Sequence, residues 1–266
     1  MISAWDDYPI HQTGQPIRFV ATSDRNFYDR YYFNLHGSSD ELFLIMGMGV
    51  YPNLGTQDAF ACVRRGAHHR VVRASRELGD RSDLSVGPFR IDVLEPLRKL
   101  RFVLEPSEHA ISFDVTWESA MPAWQEQHHF IRRHGRVLFD TSRFAQTGTW
   151  AGTLTVGGAK IAVTRDRWWG TRDRSWGVRP VGEPEHPGIR QGEGAMTGMW
   201  NYFPMQFADH SIFYINNERN DGVRMLVQGQ RQWLDGTIEE LGRSVHNHEF
   251  HPGTRILAHS DRKSVV

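Results

Sequence analysis

The sequence predicts an all-β fold of antiparallel strands arranged as two consecutive units. Three observations carry that prediction. Apolar and polar residues alternate with period 2 in several segments. Turn residues recur at intervals of about 8–12 residues, the spacing of barrels and sandwiches. Only 93–100 and 236–242 have the pattern for a turn or two of helix, and Pro96 interrupts the first. Without crossover helices the strands must pair antiparallel. One eight-stranded barrel at that spacing needs about 120–150 residues, so a chain of 266 accommodates two such units.

The elements follow in order. Tyr28–Leu35 and Leu42–Tyr51 read as strands linked through His36–Asp40. In SDRNFYDRYYF at 23–33, Tyr28, Arg30 and Tyr32 fall on one strand face, and Asp29, Tyr31 and Phe33 on the other. The bland reading is a barrel strand; the sharper one has Tyr28, Arg30 or Tyr32 touching a ligand's polar end. Leu100, Phe102 and Leu104 alternate, and Pro106-Ser107 supplies a turn. Ile111, Phe113, Val115 and Trp117 then alternate strictly with polar or small neighbours, the pattern of a strand with one wet face. The turn-rich stretch Thr141–Gly148 marks the expected boundary, giving units of 1–147 and 148–266. Thr153–Val163 reads as a hairpin about Gly157-Gly158, which suits the positive φ of a primed turn. Ser211–Glu218 and Val223–Gln228 form another pair. The end, RILAHSDRKSVV at 255–266, does not read as a tidy strand, so the second unit is expected to be shortened or open.

Composition excludes several function classes. With 31 Lys+Arg against 31 Asp+Glu, bulk charge offers no attraction for nucleic acid. The longest apolar run, LFLIMGMGVY at 42–51, is broken by two glycines and falls short of the roughly 18 residues of a membrane span, so no stable membrane insertion is expected. The opening MISAWDDYPI has no basic and apolar signal regions, and Cys62, the lone cysteine in an apolar AFACV run, forms no internal disulfide; both suit the cytoplasm. Gly47-Met48-Gly49 and Gly192-Glu193-Gly194 lead into no helix N-terminus, which argues against a dinucleotide site. His246 and His248 share a strand face, and Glu249 or His251 stands near, but a solvated edge strand is the better reading and no metal is expected. No pattern speaks for an oligomeric state.

The densest chemistry lies in TRDRWWGTRDRSWGVRP at 164–180. Trp168, Trp169 and Trp176 stand among Arg165, Arg167, Arg172, Arg174 and Arg179, with Asp166 and Asp173 between them. Glycines 170 and 177 suggest an irregular connection or bulged strand. With Trp150, Trp200 and Tyr202 flanking it, the segment has the makings of an aromatic-walled small-molecule site. Desolvation by the indoles would raise the pKa of Asp173 and make it a proton donor, whereas Arg172 or Arg174 beside it would hold it ionised; the residues are compatible with both. An Arg–Asp–Trp network closing a barrel end is the structural alternative.

The order of these signals, SDRNFYDRYYF, the Met/Gly strand at 44–51 and WWGTRDRSWG at 168–177, resembles the lipocalin-like two-barrel family of hydroxyneurosporene synthase, a carotenoid hydratase, and AttH-type proteins. The hydratase-like members carry an Asp followed by a basic residue, an acidic residue and Trp. Asp173, Arg174 and Trp176 match, while Ser175 stands where Glu is usual and Thr171 where an aromatic is common. The resemblance implies two lipocalin-like barrels and a cavity for an apolar isoprenoid, steroid or lipid-like molecule. It also implies hydration, isomerisation or cyclisation at a carbon–carbon double bond, with Asp173 as acid and no cofactor. Trp169 and Trp176 are the expected cation-stabilising indoles, and Trp150, Trp168, Arg172, Arg179, Trp200 and Tyr202 the further ligand-binding residues. A non-catalytic carrier of hydrophobic molecules is the alternative, since barrels of this kind serve both roles. A carboxyl of Asp173 free of Arg172, Arg174 and Arg179 would favour catalysis; one locked by them would favour a clamp.

Overall fold

A computed structural model describes residues 2–133, 135–181, 198–254 and 256–265, and the chain divides into two compact units, Met1–Arg190 and Gln191–Val266. The first unit contains β1 (Phe27–His36), β2 (Leu42–Tyr51), β3 (Thr56–Arg65), β4 (His68–Glu77), β5 (Ser85–Val86), β6 (Phe89–Glu95) and β7 (Lys99–Leu104). It continues with β8 (Ile111–Ser119), β9 (Trp124–Gln125), β10 (His129–Arg133), β11 (Arg136–Val156), β12 (Ala159–Val163) and β13 (Trp169–Val178). All belong to one antiparallel sheet of order β4-β3-β2-β1-β13-β11-β8-β7-β6-β5, with β9, β10 and β12 laid along β11. The sheet curls until its ends meet: Arg76 of β4 donates through Nε to the Ser85 carbonyl of β5 at 2.7 Å, which nearly closes a barrel. No α-helix occurs among the described residues.

One face of this sheet holds the apolar core. Phe33 and Leu35 of β1, Leu44, Met46 and Met48 of β2, Phe113, Val115 and Trp117 of β8 and Trp150 of β11 all point there and are buried. Phe33 packs edge-on against Phe102, Trp117 and Trp150, a geometry that indole and phenyl quadrupoles favour. The alternation of β8 follows from this: Val115 and Trp117 are fully buried while Asp114 is exposed.

The second unit is smaller. β14 (Gly198–Gln206), β15 (His210–Arg219), β16 (Arg224–Trp233) and β17 (Ile238–Glu240) form a four-stranded antiparallel sheet, and β18 (Arg243–Phe250) pairs with β19 (Leu257–Val265). Phe213, Tyr214, Ile215 and Leu226 are the buried hydrophobic residues among its described residues. The 255–266 stretch, not legible as a strand, is paired along most of its length because backbone pairing with β18 supplies order that its polar side chains do not advertise.

Three further expectations are corrected. The two possible helical turns at 93–100 and 236–242 are strand ends and turns; Leu97 has φ of 61°, incompatible with a right-handed helix. The expected boundary at 147/148 falls inside β11, a 21-residue strand, and the units divide at 190/191 instead. The polar stretch read as turns is the buried middle of that strand, with Ala145, Gln146 and Thr147 at 0%, 0% and 1% exposure. The Trp/Arg segment is likewise no irregular connection: β13 lies at the centre of the sheet, paired with β1 on one side and β11 on the other without a break in register. The hairpin at Gly157-Gly158 is as read, with φ of 59° and 83°.

Candidate active site

Because β13 is a regular strand, its side chains alternate, and the candidate residues separate onto opposite faces. Arg172, Arg174 and Trp176 face the core side with Phe33, Tyr31 and Asp29; Asp173 faces the other way, with Tyr32 and Arg30. Each face answers to one of the two readings of this segment.

The core side carries the clamp. Arg172 is 3% exposed; its Nε donates to Gln146 Oε1 at 2.9 Å, and its guanidinium lies 4.9 Å from the Trp117 ring and 5.1 Å from Phe144. Gln146 in turn donates to the Leu97 and Met121 carbonyls at 2.8 and 3.0 Å. Arg174 forms an ion pair with Asp29 and stacks 3.9 Å over Tyr31. Burial pulls both guanidiniums down to about 10, still well above neutrality, so both stay charged. Trp176 is 38% exposed and meets Phe144 edge-on at 6.4 Å. Trp150 is fully buried, its Nε1 donating to the Asn34 carbonyl at 2.8 Å, and Trp168 packs on the core. Arg172, Trp150, Trp168 and Trp176 are therefore structural neighbours of the core and do not face Asp173. Trp169 shares the face of Asp173 but stands four residues away, about 13 Å along the strand. Trp200 and Tyr202 lie on one face of β14 in the second unit.

On the opposite side, pairing aligns a row of residues across five strands. Trp124 of β9 stands opposite Ala145 of β11, Ala145 opposite Asp173, Asp173 opposite Tyr32 of β1, and Tyr32 opposite Gly47 of β2. Ala145 is small and fully buried, and the buried Trp124 indole stands opposite it. Gly47 makes room for the ring of Phe60, whose atoms a Cβ there would meet at 2.7 Å. The next row carries charge: Asp58, Gly49, Arg30, Ser175, Arg143 and Glu126. Asp58 lies under Gly49, where a Cβ would come within 2.7 Å of its Oδ1, and Tyr51 Oη approaches it at 3.5 Å.

Asp173 is half-buried, with protein atoms packed around its carboxyl. Among the described residues its carboxyl makes no hydrogen bond and no ion pair. Desolvation pushes its pKa up, and Arg143, Arg179 and Arg30 pull it back without contact. None of Arg172, Arg174 and Arg179 locks it.

Glu126 is the residue that sequence reading missed. It is 4% exposed, takes Arg143 Nε on Oε2 at 2.6 Å, and leaves Oε1 buried without a donor. Burial, reinforced by the charge of Asp173, pushes it up to about 7 despite Arg143. The charge state of Asp173 thus bears on the titration of Glu126. Because the folded value lies above the ordinary one, Glu126 favours the fold at low pH, and that contribution is lost as pH rises from about 4.5 to about 7. Glu126→Gln is expected to remove this loss, gaining about 3 kcal/mol relative to wild type across that window. Thermal unfolding followed at successive pH values checks it; parallel wild-type and variant curves would contradict the assignment.

The sequence profile of a family of unknown function, DUF8625, matches residues 2–262. The chain belongs to that family. No curated protein matches it. Among solved structures, this DUF8625 chain is similar to an AttH-type protein from Nitrosomonas europaea, with 12% identity, 97% of this chain and 83% of that one covered, and a TM-score of 0.61. Kievitone hydratase from Nectria haematococca shares 13% identity over 83% of this chain and 65% of its own, with a TM-score of 0.55. CghA bound to Sch210972 shares 11% over 87% and 63%, with a TM-score of 0.50. The DUF8625 chain thus spans less than two thirds of the latter two proteins. At these identities the likeness is one of fold, the lipocalin-like fold of the AttH protein.

Proposed function

We propose that this protein is a cofactor-independent lyase or isomerase, of hydratase or cyclase type, acting on a carbon–carbon double bond of an apolar isoprenoid, steroid or lipid-like molecule. The observation that carries the reading is the setting of Asp173: an enclosed carboxyl with a raised pKa, accessible surface and no ionic partner. Kievitone hydratase, among the structures of similar fold, supports the hydratase-type reaction class.

Asp173 in its acid form gives its proton to one alkene carbon, the π pair forming the new C–H bond and leaving a cation on the other. A water lone pair closes on that cation, and the proton it sheds returns to the Asp173 carboxylate, so hydration regenerates the acid. In isomerisation the cation instead loses a proton from a neighbouring carbon to the Asp173 carboxylate; in cyclisation an internal nucleophile captures the cation, and the proton then shed returns to the same carboxylate. The cation-facing role foreseen for Trp169 and Trp176 passes to Tyr32 and Trp124, which stand in the row of Asp173. A carboxyl whose pKa is raised by desolvation suits a general acid, which supports the catalytic reading over the carrier one.

Native mass spectrometry of protein from its own host identifies a co-purifying apolar ligand. That ligand, or prenyl and steroid alkenes offered with it, is expected to gain deuterium from D2O with wild type. Asp173→Asn should slow incorporation at least 100-fold, the lower end of what a general acid contributes. Turnover by Asp173→Asn within tenfold of wild type overturns the proposal.

A further inference from the structure

The charges on the Asp173 face do not pair off among the described residues. Arg143 is held by Glu126. Arg30 and Arg179 are not so held: neither side chain makes a hydrogen bond or an ion pair among the described residues, and Arg179 Nε is buried without an acceptor. The two guanidiniums lie close enough to act on one another and on Tyr51, and Arg30 also acts on Asp58. Arg179 stacks 4.4 Å over the ring of Tyr28, which is 2% exposed. Tyr28 opposes Gly177 and Arg30 opposes Ser175, so β1 and the end of β13 present both cations to one place.

Two like charges gathered in a half-buried setting repel and lose hydration unless an anion joins them. Asp58 and Asp173 lie beyond ion-pair distance of both. When Asp173 carries the proton it is to donate, Asp58 is, among the described residues, the carboxylate left beside this pair of guanidiniums, next to Arg30. The deficit of negative charge is greatest in the state that is ready to react.

We propose that Arg30 and Arg179, with the Tyr28 phenol, form an oxyanion subsite that receives a carboxylate borne by the ligand. The position of the apolar remainder of that ligand rests on the function proposed above; the anion subsite stands on its own charges. Arg30 is the diagonal neighbour of Asp173 across the β1–β13 pair, about 7–8 Å away. The subsite would therefore anchor an acid head group one short spacer from the bond to be protonated. Planar guanidiniums suit this task because they fork onto carboxylates, and a Tyr ring beneath one of them fixes its plane.

Calorimetric titration of wild type with benzoate and with benzamide, its neutral isostere, tests the subsite. Benzoate is expected to bind at least tenfold more tightly, and Arg30→Gln and Arg179→Gln should each abolish that preference. Equal affinity for the two probes, or no benzoate binding, overturns the proposal. Should the variants fold poorly, crystals of wild type soaked in bromide give a second test: an anomalous peak between Arg30 and Arg179 supports the subsite, and its absence there overturns it. Dodecanol separates this from the wider reading. Benzoate bound without dodecanol keeps the anion subsite and counts against an apolar ligand; dodecanol bound without benzoate does the reverse.

Discussion

Asp173→Asn is expected to unfold at a higher temperature than wild type at pH 8 while losing turnover. The carboxyl is enclosed, has no donor or cation in contact, and its pKa is raised by burial. A raised carboxylate pKa means that the folded state holds the proton more tightly than the unfolded one. The stabilisation is complete below the ordinary carboxylate range and is lost as pH climbs through the raised value. Asn is close in shape, stays neutral throughout, and so escapes the loss. Wild type and variant should have nearly equal stability at pH 4 and diverge by several degrees towards pH 8. The same change lowers the Glu126 value, since Asp173 is one of the charges that raise it. The double variant with Glu126→Gln should therefore gain less than the sum of the single changes. A variant less stable than wild type at pH 8 would show that Asp173 has a partner and is a structural residue.

Gly170→Ala is expected to cost about 4 kcal/mol, or roughly 10 °C in Tm. A Cβ at this position would lie 2.0 Å from the Asn34 carbonyl oxygen and 2.5 Å from Trp150 Nε1. These two atoms are the partners of the 2.8 Å hydrogen bond that satisfies the buried indole. Neither can give way. Asn34 is fixed again through its side chain, which donates to Thr171 Oγ1 at 2.7 Å and accepts from the Thr171 backbone at 2.9 Å. The methyl group must therefore break the indole bond or part β1 from β13, and an orphaned buried donor alone costs about 1–3 kcal/mol. Chemical denaturation measures the effect; a loss below 1 kcal/mol would mean that the indole can be re-housed.

What was legible in the sequence follows from how each strand is surrounded. Ile111, Phe113, Val115 and Trp117 announce β8 because one of its faces is core and the other is water. β13 hides because neither face is simple. Arg172 and Arg174 are stacked on aromatic rings on the core side, and Asp173 and Ser175 stand on the other, so hydropathy does not alternate although position does. Asp173 was found through its setting among Arg and Trp, but the residues that complete its surroundings come from elsewhere in the chain. Trp124 and Glu126 belong to a two-residue strand and its flank, too short for any periodic signal, and Tyr32 was one of three open choices. Trp176 stands three residues from Asp173, an odd offset that puts it on the other face of β13, and Trp150 belongs to β11.

The place of β13 also bears on how the chain is made. Synthesised after every other strand of the first unit, it is inserted between β1 and β11, which have no other ladder to each other. Until it emerges from the ribosome, the first and the longest strands each present a bare row of amides and carbonyls, and such edges recruit other chains. Chains ending before residue 169 should therefore aggregate even though they contain nearly the whole apolar core. The segment that carries the reactive carboxyl is thus also the one that ends the nascent chain's exposure.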